Sequence, residues 1–194
     1  MSRTVLVFFA LAVLLAGCTC TNPPASRLLG VTLRPQETNM WCWAASGQMA
    51  MEFLGHNTNQ CTQANNRFGR NDCCNNPKPA GCVQGGWPEF GRYDFAASNT
   101  TNAALSWATV RSEIGCYGRP FDFTWHWDGG GGHMMAAVGY QTQAGVDMVE
   151  VHDPWPPNVG TSGNASILTY AAYDDGAGYS HWNDYYLIRY TGGN

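Results

Sequence analysis

Gln36-Glu37-Thr38-Asn39-Met40-Trp41-Cys42-Trp43-Ala44-Ala45-Ser46 is the stretch on which the reading of this chain turns. A cysteine between two tryptophans opens an apolar run that continues through Met49, Met51 and Leu54. Residues 42–54 are expected to form a helix, because positions 43, 44, 50, 51 and 54 fall near one stripe of a 3.6-residue period. Asn39 is the expected N-cap, and Gly55 the glycine that ends the helix. Cys42 then sits in the first turn, where unpaired amide N–H groups and the helix dipole favour a nucleophilic thiolate. Gln36 lies six residues upstream, and its side-chain amide can join the Cys42 backbone N–H as an oxyanion hole.

A thiolate needs a base. The best placed histidine is His133, which enters the apolar run Met134-Met135-Ala136-Ala137-Val138-Gly139-Tyr140 from four glycines, Gly129 to Gly132. The glycines let a substrate backbone approach closely. Twenty residues on, Val149-Glu150-Val151-His152-Asp153-Pro154-Trp155 ends a second strand in Asp153. If the two strands are antiparallel neighbours, Asp153 can orient the His133 ring. His56, His126, His152 and His181 are read as structural or exposed, and His152 as pointing to the opposite strand face from Asp153. Trp155 is expected to shield the His133–Asp153 hydrogen bond. Trp41 is expected in a groove wall and Trp43 in the core.

Cys-Trp-Ala-x-Ser, the upstream Gln36, the later His-x-x-Ala-Ala-Val-Gly-Tyr and the Asp153 two residues before Trp155 together resemble the papain-like cysteine peptidases. The Trp-Cys-Trp-Ala-Ala start and the Gln60-Cys61 and Cys73-Cys74 region resemble the staphopain-like bacterial branch, which includes secreted plant-pathogen effector proteases. The resemblance spans residues 31–190. It implies an α+β fold in which an N-terminal helix carrying the nucleophile packs against an antiparallel sheet, with the catalytic groove between them. It also implies a Cys42–His133–Asp153 triad, with Asp153 where papain itself has Asn, acting on a polypeptide substrate through a thioester without a cofactor or metal. The same chemistry would serve a cysteine-dependent amidase or a transglutaminase-like acyl transferase. A non-catalytic binding module is the third reading, although it gives no reason for all four site residues to be present.

The formal charge of −4 and the lack of a basic cluster argue against nucleic acid binding. The N-terminus carries Arg3 and then an apolar run over residues 5–17. As helix this run would span about 20 Å, too short for a bilayer but suited to a signal peptide. It ends Leu15-Ala16-Gly17-Cys18, which resembles a bacterial lipobox. The expected organisation is a signal peptide over 1–17, a lipidated Cys18 with a flexible tether to residue 30, and one enzymatic domain over 31–194. That places a monomer at the bacterial cell envelope, held to the membrane by lipid, or secreted.

Between residues 55 and 87 the chain is polar and rich in glycine and asparagine, with one short helix expected near 62–67. Cross-links must order it, and Cys61, Cys73, Cys74 and Cys82 supply them. Two pairings avoid joining neighbours: 61–73 with 74–82, or 61–74 with 73–82. The second is preferred, although spacing does not decide it. A zinc site made of the same four thiolates lacks the paired C-x-x-C knuckles such sites use. Cys20 and Cys116 are left over. A second helix is expected over 106–114 with Ser106 as N-cap, and strands over 31–33, 120–127, 133–140, 146–152, 166–168 and 185–190. Helix first and antiparallel strands afterwards is α+β order.

Overall fold

The structure is a computed structural model and describes residues 22–155 and 163–193. Helix α1 spans Cys42–Phe53. Trp41, not Asn39, is its N-cap, and no side chain caps it. Asn39 is displaced because Met40 adopts a left-handed conformation (φ 68°) that turns the chain between Asn39 and the helix. The other end behaves as expected. Gly55 (φ 90°) follows the last turn, its N–H reaching the Glu52 carbonyl and that of His56 the Met51 carbonyl. This is a Schellman closure. Every residue from Trp43 to Met51 is buried, Ser46 and Gln48 included. The helix is thus enclosed on all sides and is no surface helix with one apolar stripe.

Helix α2 (Gln60–Phe68) lies against α1 and is tied to it by Gln63, whose Nε2 donates to the Ala44 carbonyl at 2.8 Å. The polar loop after it is cross-linked by Cys61–Cys74 and Cys73–Cys82. The four sulfurs are spent on each other, so the zinc reading fails. Cys116 is also disulfide-bonded, and Cys42 is the one free cysteine among the described residues.

The remainder is one antiparallel sheet. Its strands are β1 (Ser26–Leu28), β2 (Phe95–Asn99), β3 (Phe121–Trp127), β4 (Gly132–Gln143), β5 (Val146–Asp153), β6 (Asn164–Thr169), β7 (Asp175–Gly176) and β8 (Tyr179–Tyr190). The order is β2-β8-β3-β4-β5-β6, with β1 added to β4 and β7 to β8. Helix α3 (Trp107–Arg111) starts at Ser106, whose side chain accepts from the Thr109 N–H, and runs on into a π-type turn over Ser112–Cys116. Helix α4 (Tyr170–Asp174) links β6 to β7. Phe121, Phe123, Met135, Val149, Val151 and Tyr173 form the centre of the sheet core, and Met49 of α1 joins it.

Two expectations about the N-terminal part are corrected. No strand forms at 31–33, and the tether does not reach residue 30. Strand β1 pairs with β4 at residues 139–141, where β3, which covers residues 132–137 of the same strand, has ended. The long β4 leaves an open edge there, and the chain fills it with its own N-terminal segment. Pro23 and Pro24 are held as well, their carbonyls accepting from Arg111 and from the Tyr140 hydroxyl, while Leu29 is buried. The signal segment and Cys18 lie outside the described residues.

A buried charged pair fastens β8 to this core. His181 faces an acceptor at each ring nitrogen, the Tyr173 carbonyl at Nδ1 (3.1 Å) and Asp184 Oδ2 at Nε2 (2.9 Å). Both nitrogens therefore donate, and the ring is an imidazolium. Burial opposes that charge, but the Asp184 hydrogen bond and charge outweigh it and raise the His181 pKa. The raised value stabilises the fold below the unfolded histidine pKa of about 6.5, and that stability is lost as pH rises through the folded value. Replacing His181 with Ala is expected to cost about 3 kcal/mol near pH 6 by leaving Asp184 buried without its cation. Thermal melts from pH 6 to 9 should show the gap between wild type and variant narrowing as pH rises.

Candidate active site

Cys42 opens α1 and is partly exposed. As the first helical residue it has no i−4 carbonyl within the helix to bind its N–H. His133 is the second residue of β4, and Asp153 the last of β5. In the β4–β5 register Ala136 faces His152, so Met135 faces Asp153, and His133 lies two residues further along on the same face. Such a diagonal pair is within side-chain reach. His133 Nε2–H donates to Asp153 Oδ1 at 2.6 Å. Asp153 Oδ1 also accepts from the Trp155 backbone N–H at 2.9 Å. That leaves His133 Nδ1 for the hydrogen bond with Cys42. Burial disfavours a charge on this ring, yet the hydrogen bonds with Asp153 and Cys42, and their charges, raise its pKa to about 9.

Gln36 is 1 % exposed and lies in the same groove. Its Nε2 donates to the Thr38 carbonyl at 3.0 Å, which fixes the amide and leaves its second N–H for another acceptor. The Gln36 backbone N–H donates to the Pro154 carbonyl at 2.9 Å. This bond ties the segment leading to the cysteine to the residue that follows Asp153. The structure thus brings Gln36, Cys42, His133 and Asp153 to one groove.

The groove has two halves that meet at Cys42 and Met40. One, about 450 Å³, runs past His133 and is walled by Trp125, Trp127 and Trp155. The other, about 270 Å³, is walled by Trp43, Trp87, Met134 and Trp182, with Arg67 at its side. Bare backbone is essential to both. A Cβ on Gly86 would come within 2.7 Å of the Trp43 ring, and one on Gly132 within 2.6 Å of the Trp125 carbonyl. In the β3–β4 turn, Gly130 and Gly131 hold left-handed conformations (φ 88° and 82°).

Trp155 supports the site differently from the expectation: its side chain is 49 % exposed in the groove, and its direct tie to Asp153 is the main-chain N–H. Trp41 is not groove wall. It is fully buried, whereas Trp43, expected only in the core, also lines a groove half. The other histidines lie elsewhere: His56 stacks on Tyr190, His126 meets the Trp182 edge, His181 pairs with Asp184, and His152 borders neither groove half. Sequence reading missed Met40, Trp87, Trp125, Trp127 and Trp182 as groove residues. For Trp125 and Trp127 a signal existed, since alternation in β3 puts both on the face that carries His133, opposite Trp125 in register.

No curated protein sequence matches the chain. Among solved structures, one described in work on the limited antibody cross-reactivity between the mite allergens Blo t 1 and Der p 1 superposes with a TM-score of 0.53 at 14 % identity. The match covers 88 % of this chain and 73 % of that one, and it shows a shared α+β, papain-like fold. The model of the Peptidase_C39 like family matches residues 28–184. By that match, which takes in the cysteine, the histidine and the aspartate, the chain belongs to the Peptidase_C39 like family, and the comparisons support a cysteine peptidase.

Proposed function

We propose that this protein is an exported, lipid-anchored bacterial enzyme that hydrolyses peptide bonds through a Cys42–His133–Asp153 triad, with Gln36 and the Cys42 N–H as its oxyanion hole. The observation that carries the reading is the single ring of His133, bonded to Asp153 through Nε2 and to Cys42 on its other side. The thiolate attacks the peptide carbonyl. The resulting oxyanion takes hydrogen bonds from the Gln36 amide and the Cys42 N–H, and the His133 imidazolium protonates the leaving amine. Water, deprotonated by the now neutral His133, then hydrolyses the thioester. The anchor rests on residues 15–18 of the sequence alone. Placement in the staphopain-like branch rests on the Trp-Cys-Trp-Ala-Ala start and the cysteine pattern.

Replacing Cys42 with Ala should abolish turnover of casein or of a peptide library while leaving the melting curve of the purified protein in place. Substituting Gln36 with Ala should lower kcat by about a hundredfold, the usual cost of one oxyanion donor. Because His133 must be protonated to act as the acid, kcat/KM should fall as pH rises through about 9. Asp153 is a cause of that elevation, so Asp153→Asn should move the alkaline limb to lower pH. A limb that stays fixed in the Asn variant would remove Asp153 from the triad.

A further inference from the structure

Trp41 directly precedes the candidate nucleophile and is 0 % exposed. It packs in a cluster with Trp43, Cys73, Cys82 and Met134. Its indole Nε1–H donates to the Cys82 carbonyl at 2.7 Å, a buried bond spanning forty-one residues of sequence. Its own carbonyl accepts from the Ala44 and Ala45 amides at 3.0 Å each, so the first turn of α1 starts from this residue. No side chain caps that turn, and Met40 enters it in a left-handed conformation. The direction in which α1 presents Cys42 is therefore set by where the Trp41 ring is held.

Cys82 is held covalently. It is bonded to Cys73, and both are 0 % exposed. Just beyond it, the Gln84 carbonyl accepts from Trp43 Nε1 at 3.3 Å, and Gly85 and Gly86 pass into the wall of the smaller groove half. Two tryptophans flanking the cysteine are thus fastened to one disulfide-bonded strand of loop. The second disulfide is placed differently. Cys74 is exposed, and the Cys61–Cys74 bridge joins α2 to the outer part of the loop.

We propose that the Cys73–Cys82 disulfide is a positioning element for Cys42. Through the Cys82 carbonyl and the Trp41 indole it fixes the sulfur relative to His133, and through Gln84 it holds the groove wall. The role rests on Cys42 being the attacking thiol. It gives the site two opposed redox requirements, since Cys42 must remain a thiol while its support remains a disulfide. A dithiol reductant that delivers two electrons and two protons to the Cys73–Cys82 bond, itself ending as a disulfide, leaves Cys42 chemically unchanged and frees the carbonyl that anchors Trp41.

The test uses the full chain in three variants: Trp41→Phe, Cys73→Ser with Cys82→Ser, and Cys61→Ser with Cys74→Ser. Alkylation of Cys42 by iodoacetamide is followed by peptide mass mapping across pH, and kcat and KM are measured on peptides. The first two variants should lose on the order of tenfold or more in alkylation rate and in kcat, with an altered pH profile of alkylation. The third should stay within about twofold of wild type. Trp41→Phe keeps an aromatic side chain but removes the N–H together with part of the indole's volume, so with its folding checked by thermal melt it decides the matter if the Cys73/Cys82 variant does not fold. A folded Trp41→Phe protein with the wild-type alkylation rate and pH profile overturns the proposal, as would equal losses in the Cys61/Cys74 variant. Alkylation needs no substrate, so the positioning role is decided even if the wild-type protein cleaves no peptide.

Discussion

The register of β4 on β5 is the constraint on which the rest depends. Side chains alternate along a strand, so a slip of one residue would throw His133 and Asp153 onto opposite faces. The pairing of Ala136 with His152 puts them on one face, two residues apart, where a 2.6 Å bond can form. The sequence protects that register in two ways. The buried run from Met134 to Tyr140 cannot shift without exposing apolar side chains, and β1 and β3 together occupy the other edge of β4. The candidate catalytic pair, carried by strand ends, inherits the rigidity of the whole sheet.

The helix-bearing half meets this sheet through main chain as much as through side chains. The bond from the Gln36 N–H to the Pro154 carbonyl joins the approach to α1 to the exit from β5. Packing does the rest. Met134 lies in the cluster of Trp41 and Trp43, while its neighbour Met135 lies in the sheet core, so adjacent residues of one strand serve the two halves of the molecule. Cys42 lies at their seam. It approaches His133 because helix and strand are each held by their own packing and by the main-chain bond between them.

Much of this was legible in the sequence because it is written in local rules. The strands 120–127, 133–140 and 146–152 are apolar and bounded by turn residues, and the structure reproduces them with only their ends displaced. Gly55 and Ser106 each announce one end of a helix through one residue's chemistry. What was not legible depends on partners distant in sequence. Strand β1 exists because β4 offers an edge, and the exposed triplet Ser26-Arg27-Leu28 has no strand pattern of its own. The burial of Trp41 depends on Cys82, forty-one residues away. Asn39 looked like a cap because capping chemistry is local, whereas the left-handed turn at Met40 is imposed by what lies on either side of it. The disulfide pairing was open for the same reason: spacing allowed two solutions, and only the packing of α2 against the loop selects one.

The capture of the N-terminal segment by β4 bears on how far the enzyme could roam. With Pro23 and Pro24 already bound to the body of the protein, an acylated Cys18 would leave a leash of only residues 19–22. Five extended steps of chain reach roughly 17 Å. A molecule so tethered would work against the lipid surface itself, and its substrates would have to be delivered to that surface or already reside there.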